Sequence, residues 1–142
     1  MKLPPRSSTS HSTGETRAAG ARIAAAAEAG DTFGLIGKLG AGKTEFVRGF
    51  TACFARNARV TSPSFSLLNI YDTLRFPVYH FDFYRLNEAE ELIEIGFEEY
   101  TTANGICLIE WADMFPEVMP VDTIYVCFEE KADRSRLIEV GK

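Results

Sequence analysis

The apolar residues of this chain recur at two periods, and these periods predict alternating helices and strands. Apolar positions at helical spacing, without proline, predict helices over residues 12–29, 44–56 and 87–95. Short apolar runs bounded by turn-forming residues predict strands over residues 32–36, 65–71, 78–84, 106–109, 123–128 and 136–140. Because strands are interspersed with helices and some strand pairs are hairpin-like, we expect an α/β fold. Its central sheet should be mixed, mostly parallel and flanked by helices.

The first eleven residues lack this periodicity. Residues 1–11 are rich in serine and threonine, contain Pro4 and Pro5, and have no apolar stretch of a secretory signal, so we predict a disordered N-terminal tail. Residues 12–142 are predicted to form one domain, which is long enough to bury a hydrophobic core. No apolar run approaches the roughly 20 residues that a membrane span needs, and no membrane association is expected.

The run from Gly37 to Thr44 carries the most specific chemistry of the chain. Its sequence, GKLGAGKT, fits the phosphate-binding pattern G-x-x-x-x-G-K-[ST] between a predicted strand and a predicted helix. Glycines let backbone N–H groups approach phosphate oxygens, the Lys43 ammonium can reach the β- and γ-phosphates, and the Thr44 hydroxyl is a hard ligand for Mg²⁺. The predicted nucleotide-binding residues are Gly37, Lys38, Leu39, Gly40, Ala41, Gly42, Lys43, Thr44 and Glu45.

Two predicted strands end in an acidic residue, as a P-loop site requires for its metal. Residues 78–82 end at Asp82, and residues 106–110 end at Glu110. Either carboxylate could bind Mg²⁺, directly or through water, or could orient the attacking water. Trp111, next to Glu110, either covers the nucleotide or a partner protein, or belongs to the core.

Polar residues elsewhere could complete the site. Ser62 and Ser64 lie on the loop after the P-loop helix, which is the usual place for a segment that senses the γ-phosphate, although turn chemistry explains them equally well. Arg134 or Arg136 could stack on a base or reach a phosphate, or could form surface salt bridges. His80, on an apolar strand, is expected to be a hydrogen-bonded core residue.

Charge is unevenly distributed along the chain. The net charge of −5 argues against a stand-alone nucleic-acid binder. Residues 1–85 carry 11 Lys or Arg and 6 acids, whereas residues 86–130 carry 12 acids and no Lys or Arg. The acidic segment is either a docking face for a basic partner or a solvated surface. The isolated cysteines Cys53, Cys107 and Cys127 are typical of free thiols in a cytoplasmic protein.

Taken together, these motifs resemble the bacterial TsaE (YjeE) family, small ATPases of tRNA threonylcarbamoyladenosine biosynthesis. The resemblance covers about residues 16–140 and includes two departures, Lys38 for a family Asp and Ser64 for a family Thr. The resemblance rests on six family patterns that occur in the same order in this chain. The first three are T-x-x-x-G at Thr16 and Gly20, G-D-L-G-A-G-K-T at residues 37–44 and S-P-T-F at residues 62–65. The other three are H-F-D-x-Y-R at residues 80–85, E-L-x-x-x-G at Glu91-Leu92 with Gly96, and I-E-W at residues 109–111.

The resemblance implies a P-loop NTPase-like single domain that binds ATP or ADP with Mg²⁺ and hydrolyses ATP weakly when alone. It implies stimulation by the TsaB–TsaD heterodimer, with tRNA engaged only indirectly, and we expect a monomer or weak oligomer alone. Lys43, Asp82 and Glu110 would be catalytic. Thr44 and Glu110 would bind Mg²⁺ with Asp82 as the Walker-B-like acid of that metal site, and Thr16 and Arg134 would lie near the nucleotide. The switch or partner-facing residues would be Ser62, Ser64 and Trp111.

Two alternative functions remain. Lys38 inverts a charge beside the phosphates, which keeps open a nucleotide-gated scaffold with little hydrolysis. A P-loop small-molecule kinase commonly has a lid with several arginines, and residues 86–130 contain none. A GTPase is disfavoured because the guanine-reading motif N-K-x-D is absent.

Overall fold

The structure is a computed structural model, and it describes residues 6–55, 57–63 and 66–141. Its strands within these ranges are β1 (Arg6–Ser10), β2 (Thr32–Ile36), β3 (Leu68–Tyr71), β4 (Val78–Asp82), β5 (Ile106–Glu110), β6 (Ile124–Glu130) and β7 (Arg136–Gly141). The helices are α1 (Thr13–Ala26), α2 (Lys43–Ala52), α3 (Glu90–Glu94) and α4 (Phe97–Thr101). Short 3₁₀ turns cover Ala112–Met114 and Pro116–Val118.

The described strands form one mixed sheet in the order β1-β7-β6-β2-β5-β4-β3. The four central strands β6, β2, β5 and β4 run parallel, and the outer strands β7, β1 and β3 are added antiparallel. This arrangement confirms the predicted mixed α/β fold. It also brings the carboxyl ends of β2, β4 and β5 to one edge of the sheet, where α/β proteins commonly bind ligands.

Helices cover both faces of the sheet. Alternate residues of β5 divide between the two cores, because side chains point to opposite faces along a strand. Leu108 joins the core under α1 and α2, together with Phe46 and Phe50. Ile109 joins the core on the opposite face, together with Phe97 of α4. The central strands are therefore buried on both sides, which explains their continuous apolar sequences.

Helices α1 and α2 cross with their backbones in direct contact at two glycines. A Cβ atom added at Gly49 would stand 1.8 Å from the carbonyl oxygen of Arg17, and one at Gly20 would stand 2.2 Å from that of Phe46. No side chain fits at either position. Helix α1 thereby supports α2, which begins at Lys43 directly after the P-loop.

The disordered tail predicted for residues 1–11 is wrong for residues 6–10. These residues form β1, which pairs antiparallel with β7, from Arg6 opposite Val140 to Ser10 opposite Arg136. The edge of β7 supplies backbone partners that a local sequence pattern cannot reveal. Residues 1–5 lie outside the described part of the chain.

The helix predicted over residues 87–95 is also revised. Its helical turns begin only at Glu90, and a second short helix, α4, follows Gly96. Gly96 has a φ of 74°, a left-handed conformation that ends one helix and starts the next. None of the helices in the described ranges has the length and apolar character needed to cross a bilayer.

Candidate functional site

The loop between β2 and α2 leaves the start of α2 open to a ligand. Gly40 and Gly42 have φ values of 79° and 107°, which a residue with a side chain adopts only under strain. Gly42 is also the N-terminal cap residue of α2, and no side chain caps the helix there. The first backbone N–H groups of α2 therefore remain available to bind an anion, which the helix dipole favours.

Lys43 places a buried ammonium group inside this loop. The side-chain nitrogen donates hydrogen bonds to the carbonyl oxygens of Gly37 and Lys38, the latter at 2.9 Å. It also lies 4.1 Å from the ring centre of Trp111, a cation–π distance. Burial lowers the pKa of Lys43, and nearby carboxylates, Glu110 foremost, oppose that shift. A desolvated cation held this way is well suited to bind phosphate oxygens.

Thr44 and two acids meet beside Lys43 at the carboxyl edge of the sheet. The Thr44 hydroxyl lies 3.0 and 3.2 Å from the two carboxylate oxygens of Glu110. Asp82 lies opposite Glu110 in the β4–β5 register, and both residues are 3% exposed. The Asp82 carboxylate accepts a hydrogen bond from the Tyr84 backbone N–H at 2.8 Å. The two strand-end acids predicted from the sequence therefore lie side by side.

These groups line one cavity of about 320 Å³. From the loop and the start of α2 it is lined by Leu39, Gly40, Gly42, Lys43, Thr44 and Glu45. Ser62, Asp82, Glu110 and Trp111 complete the predicted residues of its wall. Gly37 and Lys38 contribute carbonyl oxygens to Lys43, while Ala41 is buried and its N–H donates to the carbonyl of Lys38.

The donor set fits Mg²⁺ bound together with a nucleotide. Mg²⁺ prefers hard oxygen ligands and is usually held by one or two carboxylates plus substrate phosphates. Thr44 and Glu110 present a hydroxyl and a carboxylate at hydrogen-bonding distance, with Asp82 adjacent. Within the described ranges there is no group of three or more His, Cys, Asp or Glu side chains that could hold a metal without such phosphates.

Comparison with known proteins identifies the family of this chain. A family model described as "Threonylcarbamoyl adenosine biosynthesis protein TsaE" matches residues 10–138. The chain belongs to the TsaE family.

Individual TsaE relatives support the assignment. A Bacillus subtilis protein named tRNA threonylcarbamoyladenosine biosynthesis protein TsaE is 36% identical over 124 residues, which cover 87% of this chain and 77% of the relative. A Rickettsia prowazekii protein of the same name is 40% identical over 109 residues, 76% of this chain and 75% of the relative. The crystal structure of Bacillus subtilis YdiB superimposes with a TM-score of 0.82 at 30% identity, covering 99% of this chain and 86% of that chain.

The TsaE resemblance placed Thr16 and Arg134 near the nucleotide, but neither residue lines the cavity. Thr16 is fully buried, with its hydroxyl 2.7 Å from that of Ser10, and a Cβ added at Gly42 would stand 3.3 Å from the Thr16 methyl group. Thr16 therefore packs against the loop at Gly42 from the side of α1. Arg134 is an exposed residue of the turn between β6 and β7, with a φ of 69°, and is outside the cavity wall. Ser64 lies outside the described residues.

Three residues of the cavity wall were not among the predicted site residues. Tyr84 stacks on Trp111 with ring centres 4.6 Å apart, and it is the tyrosine of the TsaE pattern H-F-D-x-Y-R. Arg136, which was considered beside Arg134, donates to the Gly40 carbonyl at 3.2 Å. Thr13 comes from the first turn of α1. The family pattern could have indicated Tyr84, whereas only the fold brings Thr13 to the cavity.

Proposed function

We propose that this chain is a Mg²⁺-dependent ATPase that acts in tRNA threonylcarbamoyladenosine modification. The observation that carries the proposal is the convergence of three groups at the carboxyl edge of the sheet. These are the buried ammonium of Lys43, the open N-terminus of α2 and the Thr44–Glu110 pair. The TsaE relatives are named for this tRNA modification, which supports the assignment of the pathway.

In this proposal each residue has a defined task. Lys43 and the loop N–H groups hold the phosphates and stabilise the charge that develops on them, and Thr44 with Glu110 and Asp82 holds Mg²⁺. Bound Mg²⁺ would neutralise phosphate charge and polarise the oxygens that it contacts. Asp82 and Glu110 are the two strand-end carboxylates of the cavity wall, and either could orient the attacking water. The ring of Trp111 packs on Tyr84 and forms part of the cavity wall.

The proposed activity is weak alone and rises when the chain docks on the TsaB–TsaD heterodimer. The uneven charge supports a protein partner, because residues 86–130 carry 12 acids and no basic residue. The net charge of −5 disfavours direct binding of tRNA, so tRNA is engaged through the partners. A cytoplasmic location follows from this role.

One observation favours a second candidate, a nucleotide-gated scaffold that barely hydrolyses ATP. Lys38 replaces an acid that the TsaE pattern carries in the loop. Its side chain is exposed and outside the cavity wall, while its carbonyl accepts the hydrogen bond from Lys43. Lys38 therefore leaves the phosphate site open, but adds a positive charge where the pattern has a negative one.

The test is ATP hydrolysis by the wild-type chain, alone and with the TsaB–TsaD pair. Lys43→Ala should reduce turnover by at least about 100-fold, because it removes the cation aimed at the phosphates. Lys131→Ala is the matched control, since among the described contacts the exposed Lys131 side chain pairs with Glu129 alone. Tight ATP binding without turnover, even with the pair present, would instead identify the scaffold. Undiminished turnover in Lys43→Ala would refute the site.

A further inference from the structure

A buried chain of hydrogen bonds leads from the Thr44–Glu110 pair to the segment that carries Ser62. The Nε2 atom of His80 lies 2.6 Å from a Glu110 carboxylate oxygen, and its Nδ1 atom lies 2.9 Å from the Tyr71 hydroxyl. The Tyr71 hydroxyl in turn accepts from the Thr61 backbone N–H at 3.3 Å and lies 3.1 Å from the Thr61 carbonyl oxygen. We call Glu110, His80, Tyr71 and Thr61 the relay.

One set of proton positions satisfies the whole relay. If neutral His80 carries its proton on Nε2, it donates to Glu110, the Tyr71 hydroxyl donates to His80 Nδ1, and the Thr61 N–H donates to the Tyr71 oxygen. The Thr61 carbonyl is also satisfied, by the side-chain amide of Asn69 at 3.2 Å. In this arrangement each donor is used once, and the hydrogen bonds run from residue 61 to the acid.

The surroundings make this relay stiff. His80 is fully buried, and Glu110 and Tyr71 are 3% and 8% exposed. Each ring nitrogen of His80 has one polar partner, and losing either would leave a buried polar atom unpaired. The core around the ring is close-packed, so a displacement of the Glu110 carboxylate is passed to Tyr71 more readily than it is absorbed.

We propose that His80 and Tyr71 are positioning residues that couple the Glu110 carboxylate to residues 61–63, so that Mg²⁺–nucleotide at Glu110 and Thr44 sets the position of Ser62 in the cavity wall. The inference rests on the proposed function for its ligand. It differs from that function because it assigns a task to two core residues that touch neither the cavity nor the nucleotide. The Thr44 hydroxyl lies within hydrogen-bonding distance of both Glu110 oxygens, so ligation of a metal by Thr44 and Glu110 would change that contact.

The first arm of the test measures how nucleotide binding depends on Mg²⁺. Tyr71→Phe keeps the buried ring and removes only the hydroxyl that joins His80 to Thr61. The Mg²⁺ concentration that half-saturates binding of fluorescent ADP should rise about three- to tenfold, the equivalent of one net hydrogen bond. Affinity in EDTA should stay unchanged. Tyr79→Phe is the matched control, because Tyr79 lies on β4 but packs against Tyr100 on the opposite face.

The second arm needs no nucleotide. In amide NMR spectra of the free protein, Glu110→Gln should shift the resonances of Thr61 and Ser62, although Thr61 lies three hydrogen bonds away from Glu110. Asp113→Asn, an exposed carboxylate close in sequence, is the control. Tyr71→Phe combined with Glu110→Gln should remove the response of residues 61–63 to Glu110, as a relay requires.

The outcomes separate this inference from the proposed function. The proposed coupling would be overturned if the amide resonances of Thr61 and Ser62 move no more in Glu110→Gln than in Asp113→Asn. A Mg²⁺ dependence of Tyr71→Phe equal to that of Tyr79→Phe would also overturn it. A wild-type chain that binds no nucleotide would overturn the proposed function, and with it the role of the relay in nucleotide sensing. Melting temperatures of all variants show whether any change comes from unfolding.

Discussion

The crossing of α1 and α2 predicts the effect of replacing Gly49 by alanine. The new Cβ atom would stand 1.8 Å from the Arg17 carbonyl oxygen, whereas an ordinary contact begins at 3.4 Å. The helices would have to separate by about 1.6 Å along that direction, because a helix backbone in a close-packed interface cannot rotate away as a long side chain can. The same argument applies to Gly20, whose Cβ would stand 2.2 Å from the Phe46 carbonyl oxygen.

We expect Gly49→Ala to lower the free energy of unfolding by about 2 kcal/mol. Overpacking typically costs about 1–3 kcal/mol. A radial gap of about 0.5–1 Å already removes a quarter to a half of the dispersion attraction between facing atoms. The better helix propensity of alanine returns at most about 1 kcal/mol. In a urea titration followed by circular dichroism, the midpoint should fall by about 1 M, since small proteins have slopes of about 1–3 kcal/mol/M.

Gly14→Ala is the matched control for this prediction. Gly14 lies in the first turn of α1, and a Cβ there would meet only the Ser12 hydroxyl at 3.7 Å. Because the position has room, the substitution should stabilise the protein by about 0.4–1 kcal/mol through the unfolded state. A Gly49→Ala midpoint at or above that of the wild type would refute the backbone contact. An equal loss in Gly14→Ala would refute it too, since that site has no contact to lose.

Three further predictions concern the cavity and the thiols. Mg²⁺–ATP at 100 times its dissociation constant should raise the free energy of unfolding by about 2.7 kcal/mol in the wild type, and urea titration of Lys43→Ala should show no such gain. Glu110→Gln should bind fluorescent ADP in EDTA as the wild type does but lose most of the enhancement by Mg²⁺, and an unchanged enhancement would exclude Glu110 as a metal ligand. At pH 8 a chromogenic disulfide reagent should label the exposed Cys53 and Cys127. Cys107 should react only after unfolding, because burial raises its pKa to about 12.

Elements whose local signal agrees with their packing could be predicted from the sequence. The strand predicted over residues 32–36 is β2 residue for residue, because its first four residues are fully buried and an apolar run needs no partner to be recognised. β1 could not be predicted, because its polar residues are held by the distant strand β7. The helix over residues 87–95 failed at its start because a cap-like spacing at Asn87 does not show where the helical turns begin.

The site could be predicted as far as its motifs reach. The P-loop pattern identified Lys43 and Thr44, and the acid at the end of β5 could be named because parallel strands end at one edge. The strand-end pattern left Asp82 and Glu110 open, the TsaE resemblance paired Glu110 with Thr44 at the metal, and the fold gives the Thr44 hydrogen bond to Glu110. The sequence could not reveal the relay because its four residues lie on separate segments. Only the pairing of β3, β4 and β5 places Tyr71, His80 and Glu110 at diagonal positions on one face of the sheet.

The spacing between Thr16 and Gly20 has a physical meaning that the resemblance alone did not supply. Residues four apart lie on one face of a helix, so Thr16 and Gly20 both lie on the side of α1 that faces the P-loop and the start of α2. There the Thr16 methyl lies beside Gly42, and Gly20 lies against the backbone of Phe46, one helical turn beyond the loop. The pair therefore braces the first turn of α2 at two points. Because Lys43 begins that turn, the close crossing of α1 and α2 also sets the position of the Lys43 side chain.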